Sequence, residues 1–195
     1  MTIACLFGTF DPPHNGHLNI ARRVLEQSGV DQVWLVITPM NPFKQDQAIS
    51  ANDHRVAMVR AAVEDTAGIE VSTEELALPP PNYTADTLAH FRTRWPEHRF
   101  RLVMGSDNLA QLDRWKDAEG ILEHHGIIVY PRPGYDLHRN RSLLADHVGV
   151  TFLEGPVMDL SSTRIRQRVR EGKPVDHWVG SQVGAYIAAN GLYKD

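Results

Sequence analysis

Three observations predict an α/β fold, a doubly wound and mostly parallel sheet with helices on both faces. Short apolar runs of strand type alternate with amphipathic helical patterns along the whole chain. The run at 33–37 (Val-Trp-Leu-Val-Ile) is continuous rather than alternating, as a strand covered on both faces must be. Gly8, residues 39–44, residues 105–108 and Ser161 all follow predicted strand ends, the rim of a parallel sheet where ligands gather.

The first run, 3–7, holds the single cysteine, Cys5, as a small buried strand residue, and ends in Gly8. Leu18, Ala21, Val24 and Leu25 then recur at helical spacing until Ser28 and Gly29 stop the helix. Residues 33–37 form the second strand. Asn52 or Asp53 caps a helix carrying Val56, Val59, Ala62 and Val63, and 69–71 is a short strand. Thr84 caps a helix through Leu88 and Phe91 that stops before Pro96. A strand over 100–104 ends at Gly105. A helix around Ile121 and Leu122 ends near Gly126, and 127–130 is a strand closed by Pro131. The last strand lies at 150–153, followed by helices over 162–170 and 177–189. The looser stretches 39–50, 78–83 and 131–141 read as loops over the rim.

A length of 195 residues with 42% hydrophobic content fits one domain, 1–195, with a sizeable core. The net charge of −4 argues against a general nucleic-acid binder, so no nucleic acid is expected as partner. One cysteine permits no intrachain disulfide and suits a reducing compartment. No charged leader precedes an apolar stretch, and no run approaches the ~18 residues of a membrane span. The expectation is a soluble, cytoplasmic protein with no membrane partner; a homo-oligomer stays open.

The stretch Gly8-Thr9-Phe10-Asp11-Pro12-Pro13-His14-Asn15-Gly16-His17 lies where strand gives way to helix. A first helical turn carries unsatisfied N–H groups and the positive end of the helix dipole, and so favours phosphate. His14 and His17, at i and i+3, share a face, and each can donate an N–H to phosphate oxygens. Two surface histidines beside a cap are the bland alternative. No third metal ligand at suitable spacing accompanies the pair, so no protein metal site is expected. Downstream, Ser161-Ser162-Thr163-Arg164-Ile165-Arg166 gathers hydroxyls, orphan amides and guanidinium groups at another helix start. Alone it reads as an N-cap. Arg166, four residues after Ser162, can face the same side as the cap, while Arg164, Arg168 and Arg170 fall on a solvated face.

These two motifs resemble the paired His-x-Gly-His and Ser-Ser-Thr-x-Ile-Arg motifs of the nucleotidylyltransferase superfamily. Tyr83-Thr84-Ala85-Asp86-Thr87-Leu88, Gly105-Ser106-Asp107-Asn108 with Trp115, Tyr186-Ile187 and Gly191-Leu192-Tyr193 extend the likeness over almost the whole chain. That wider pattern is similar to the bacterial nicotinate-nucleotide adenylyltransferases. The resemblance implies a Rossmann-like fold and transfer of AMP from ATP to nicotinate mononucleotide, giving deamido-NAD and pyrophosphate in NAD biosynthesis. It implies that His14, His17 and Arg166 are catalytic. With them, Gly8, Thr9, Phe10, Gly105, Asp107, Ser161, Ser162 and Thr163 would surround ATP, which brings Mg²⁺. Lys44 would meet the acceptor's phosphate, Tyr83 and Thr84 its carboxylate through backbone N–H groups, and Trp115 its pyridine ring.

Two positions depart from the family pattern. Phe7-Gly8 stands where the family usually has two glycines, and Phe43 in Pro42-Phe43-Lys44 stands where it often has histidine. Rival readings are an adenylyltransferase for nicotinamide mononucleotide or phosphopantetheine, and a non-catalytic nucleotide-binding protein. Residues 83–88 speak against the first, and retention of both histidines and Arg166 against the second.

Overall fold

The computed structural model describes residues 1–39, 49–132, 143–155 and 160–194. Six strands build one sheet: β1 (Thr2–Gly8), β2 (Gln32–Ile37), β3 (Ile69–Ser72), β4 (Arg99–Gly105), β5 (Ile127–Tyr130) and β6 (Val150–Phe152). Their order is β3-β2-β1-β4-β5-β6, and every pairing is parallel. This is the Rossmann-like, doubly wound arrangement, with β1 at the centre between β2 and β4. The strand order reverses there, so a crevice opens beyond Gly8 and Gly105, the last residues of β1 and β4.

Alternate residues of each strand supply two apolar cores, one per face. Ile3, Cys5, Leu102, Met104, Ile127 and Val129 pack under α3 (Thr84–Arg94) and α5 (Ala118–His124) through Leu88, Phe91, Ile121 and Leu122. Ala4, Leu6, Val33, Leu35, Ile37 and Ile128 pack under α1 (Asn15–Gln27) and α2 (Asn52–Val63) through Leu18, Ala21, Val24 and Val59. Each fully buried Val, Leu or Ile contributes about 1.5–3 kcal/mol, so this two-sided burial explains why the strands read as continuous apolar runs.

A third apolar cluster joins α2 to α6 (Ser162–Arg170), α7 (Asp176–Val179) and α8 (Ser181–Ala189) through Met58, Ile165, Val179, Val183 and Ile187. The single helix expected over 177–189 is therefore two, divided at Gly180, whose φ of +85° no helix accepts. A further short helix, α4 (Ser106–Leu109), follows β4 directly. Two expected caps also differ. The residue before α2 is Ala51, and Asn52 instead accepts from the Arg55 guanidinium. Tyr83, not Thr84, precedes α3, and its side chain makes no cap bond, which leaves the first-turn N–H groups of α3 to other partners.

Candidate active site

A cleft of about 950 Å³ opens at the crevice beyond β1 and β4. Gly8, Thr9, Phe10, His14, His17, Tyr83, Thr84, Trp115, Ser161, Ser162, Thr163 and Arg166 all line it, so both histidine and serine motifs meet the same space. Gly105 and Asp107 do not line it; their neighbour Asn108 does. A Cβ on Gly105 would overlap Asp107 Oδ1, so the glycine makes room for that carboxylate. Lys44, with Pro42 and Phe43, lies outside the described residues.

The turn after β1 is shaped by Phe10, whose φ of 49° places a non-glycine residue in the left-handed region. Such strain persists where surroundings over-determine it and clusters at functional sites. Here the Phe10 ring is buried over Gly8, where a Cβ would come within 2.8 Å of its Cζ, and meets His17 edge-on at 4.9 Å. Gly8 is required by this contact. Phe7, at the position of the family's other glycine, sends its side chain into the core cluster shared with Leu88 and Trp115.

His14 and His17 stack at 3.7 Å between ring centroids, 19° from parallel. The His14 backbone N–H donates to His17 Nδ1 at 3.2 Å, so that nitrogen is an acceptor and the His17 proton sits on Nε2. Among the described residues, His14 Nδ1 is buried with no hydrogen-bond partner. Burial, with the Arg132 cation, depresses His14 to about 4; burial, His14 and Arg132 hold His17 well below the usual imidazole range. Both rings are neutral donors at pH 7. Unfolded imidazoles titrate near 6.5, so between that pH and about 4 the unfolded chain binds more protons than the folded one. Stability must fall as pH falls through this window. Chemical denaturation of wild type and His14→Asn/His17→Asn at pH 7.5 and 4.5 checks this. The wild type is expected to lose at least about 2–3 kcal/mol more than the variant over that span, the share of His14 alone, with His17 adding to it; parallel losses would contradict it.

The serine motif reaches the histidine motif by side chains. Ser162 Oγ donates to the Pro12 carbonyl at 2.9 Å, and Arg166 Nη1 to the Asp11 carbonyl at 2.8 Å. Ser161 Oγ accepts from the Arg164 N–H at 3.3 Å and so caps α6. The Ser162 hydroxyl proton is thus committed within the protein, and what this residue and Thr163 offer the cleft is the amide end of α6. Arg164 and Arg168 lie over the Trp178 ring, 5.5 and 4.7 Å from its centroid, on a different side from Arg166.

On the opposite wall, Trp115 is half-buried against the core cluster beneath α3. Lys116 Nζ lies 2.7 Å from Asp86 Oδ2 and 4.9 Å from the Tyr83 ring centroid. Glu75, 2% exposed, lines the cleft there; its Oε1 accepts from Thr87 Oγ1 at 2.7 Å, and burial raises its pKa.

Several residues of the site escape sequence reasoning. Arg55 is fully buried, and its guanidinium donates to the carbonyls of Thr9 at 2.7 Å, Thr38 at 2.8 Å, and Pro39 and Ser50 at 3.2 Å. It pins the loops after β1 and β2 together. The one legible signal is an arginine on the apolar face of α2, four residues before Val59. Arg132, just beyond β5, brings its Nε to 3.6 Å from Asp107 and donates its backbone N–H to Ser106 Oγ at 3.0 Å. Among the described residues no group of three or more His, Cys, Asp or Glu side chains is arranged to hold a metal ion, and no helix is long and apolar enough to cross a membrane.

Comparison with known proteins agrees with this geometry. Residues 5–168 match the cytidylyltransferase-like family model. The chain is 33% identical over 187 residues to the nicotinate-nucleotide adenylyltransferase of Bacillus subtilis, covering 96% of this chain and 95% of that one. It is 41% identical over 194 residues to a Flavobacterium johnsoniae protein named probable nicotinate-nucleotide adenylyltransferase, covering all of both. A Plasmodium falciparum nicotinic acid mononucleotide adenylyltransferase complexed with NaAD has the same fold, with a TM-score of 0.80, 19% identity, and coverage of 98% of this chain and 97% of that one. The chain belongs to the cytidylyltransferase-like family and, within it, to the nicotinate-nucleotide adenylyltransferases.

Proposed function

We propose that this protein transfers AMP from ATP to nicotinate mononucleotide, making deamido-NAD and pyrophosphate. The observation that carries the reading is the meeting of two neutral, stacked imidazoles with the α6 amide end and Arg166 in one cleft. A 5′-phosphate oxygen of the acceptor attacks the α-phosphorus in line. The new P–O bond forms as the bond to the bridging oxygen breaks, and pyrophosphate leaves with that electron pair. No protein nucleophile is needed, so the protein's contribution is positioning and charge stabilisation.

His17 Nε2–H and His14 donate to the triphosphate oxygens; Arg166 and the Ser162 and Thr163 amides hold the leaving phosphates. Asp107 does not line the cleft, and its buried Oδ1 lies 3.6 Å from Nε of Arg132, which does, so its part toward ATP would be to position that arginine. Mg²⁺ would enter with ATP and screen the charge of its phosphates. Lys44, by its motif position, meets the acceptor's phosphate. The buried lone Cys5 fits work in a reducing cytoplasm, and the whole chain acts as one domain. Pyrophosphate release from ATP with a panel of phosphorylated acceptors tests the reading; no release with nicotinate mononucleotide would defeat it.

Arg166 carries a separate expectation. Its Nη1 is anchored on the Asp11 carbonyl and its Nη2 donates to Thr163 Oγ1 at 3.4 Å, which holds the fork at the start of α6 beside the cleft. Arg166→Lys keeps the charge but loses the planar fork, and should lower kcat/KM for ATP by about tenfold or more. Arg164→Ala, on the Trp178 side, should be mild. The reverse ranking in steady-state kinetics would remove Arg166 from the phosphate site.

A further inference from the structure

The turn after α8 reaches back to the first motif. Beyond α8, Leu192 N–H donates to the Ile187 carbonyl at 3.1 Å, and Tyr193 takes a φ of 61°. That turn delivers the Tyr193 hydroxyl to Asp11 Oδ1, where it donates at 2.6 Å, 182 residues away in sequence. Asp11 Oδ2 accepts from the Ser50 N–H at 3.2 Å, and the Asp11 carbonyl accepts from Arg166. Asp11 is 3% exposed, so a carboxylate at the mouth of a phosphate cleft has both oxygens committed inside the protein.

We propose that Tyr193 is a positioning residue for the histidine motif, acting through Asp11. The phenol fixes the carboxylate, the carboxylate fixes the turn between Phe10 and His14, and the same residue's carbonyl fixes Arg166. Burial and the adjoining Asp11 carboxylate push the phenol's pKa upward, so it stays a donor at any working pH. Arg55, which also grips this turn through the Thr9 carbonyl, supplies the compensating charge. Asp11 thereby serves as a brace and not as a metal ligand. The inference rests on the adenylyl-transfer reading, and wild-type turnover under the assay conditions tests that reading separately.

Tyr193→Phe keeps the ring and removes the donor. With a buried carboxylate oxygen left unpaired and the histidines displaced, kcat is expected to fall about tenfold with KM for ATP changed less than about threefold. Val183→Ala, in the same apolar cluster but remote from Asp11, should lower Tm and leave kcat unchanged below its melting range. Asp11→Asn should lower kcat without shifting the Mg²⁺ concentration for half-maximal rate. Tyr193→Phe should add little in an Asp11→Ala background, where the phenol has already lost its acceptor. Wild-type kcat in Tyr193→Phe, an equal kcat loss in Val183→Ala, full additivity of Tyr193→Phe with Asp11→Ala, or a shifted Mg²⁺ dependence in Asp11→Asn would each overturn the proposal.

Discussion

His17→Ala is expected to lower kcat by about 10²–10³-fold, the range for removing one preorganised donor from a developing oxyanion, with little change in KM. The structure gives the reason for that split. His17 Nδ1 is occupied by the His14 backbone N–H, so Nε2–H is a fixed donor that needs no reorganisation when charge shifts in the transition state. Ground-state ATP retains the α6 amides, Arg166 and His14, so binding changes little. The fold should survive, because His17 belongs to none of the three apolar clusters and touches Phe10 only edge-on. His17→Asn is the instructive partner, since its amide can still donate and should retain part of the rate. A folded His17→Ala enzyme with near-normal kcat would take His17 out of the mechanism.

The difference between what sequence and structure reveal follows contact range. Strands and helices with a clear apolar period were legible, because burial on one or both faces imposes that period on neighbouring residues. The start of α6 was legible for a similar reason: Ser161 caps Arg164 three residues on. The break at Gly180 was not, since one glycine in an apolar helical pattern is tolerated as often as it terminates. Asp11 and Tyr193, 182 residues apart, both lie in stretches that carry the family resemblance, but they meet only once α8 has packed on α2, and no spacing rule joins them. Arg55 left a trace, a charge on an apolar face, but its four carbonyl partners come from loops that no spacing rule joins. Ser162 shows the reverse case. Its motif suggested a hydroxyl aimed at phosphate, whereas the hydroxyl donates to Pro12 and joins the two motifs.

Acceptor choice should favour nicotinate mononucleotide over nicotinamide mononucleotide by at least ~10²-fold in kcat/KM, the product of an unmade buried hydrogen bond and a lost charge interaction. The α3 start has no side-chain cap at Tyr83, so its first-turn N–H groups and the positive helix end face an acceptor unopposed. Asp86, the acid within that turn, is drawn to Lys116 at 2.7 Å and does not fill the site. Glu75 is the other carboxyl on this wall, and burial raises its pKa, which weakens its repulsion of an acidic acceptor. A carboxylate accepts from such amides with both oxygens, whereas a carboxamide turns an NH₂ donor toward donors. On our reading Trp115, which lines the cleft, would stack on the acceptor's ring, a contact that does not read charge. Trp115→Ala should therefore raise KM for both acceptors, by about 1–3 kcal/mol of lost stacking, and leave their ratio largely intact. Competition assays with the two mononucleotides in wild type and Trp115→Ala decide the matter. Equal turnover of acid and amide by the wild type would defeat this account of the α3 terminus while leaving adenylyl transfer in place.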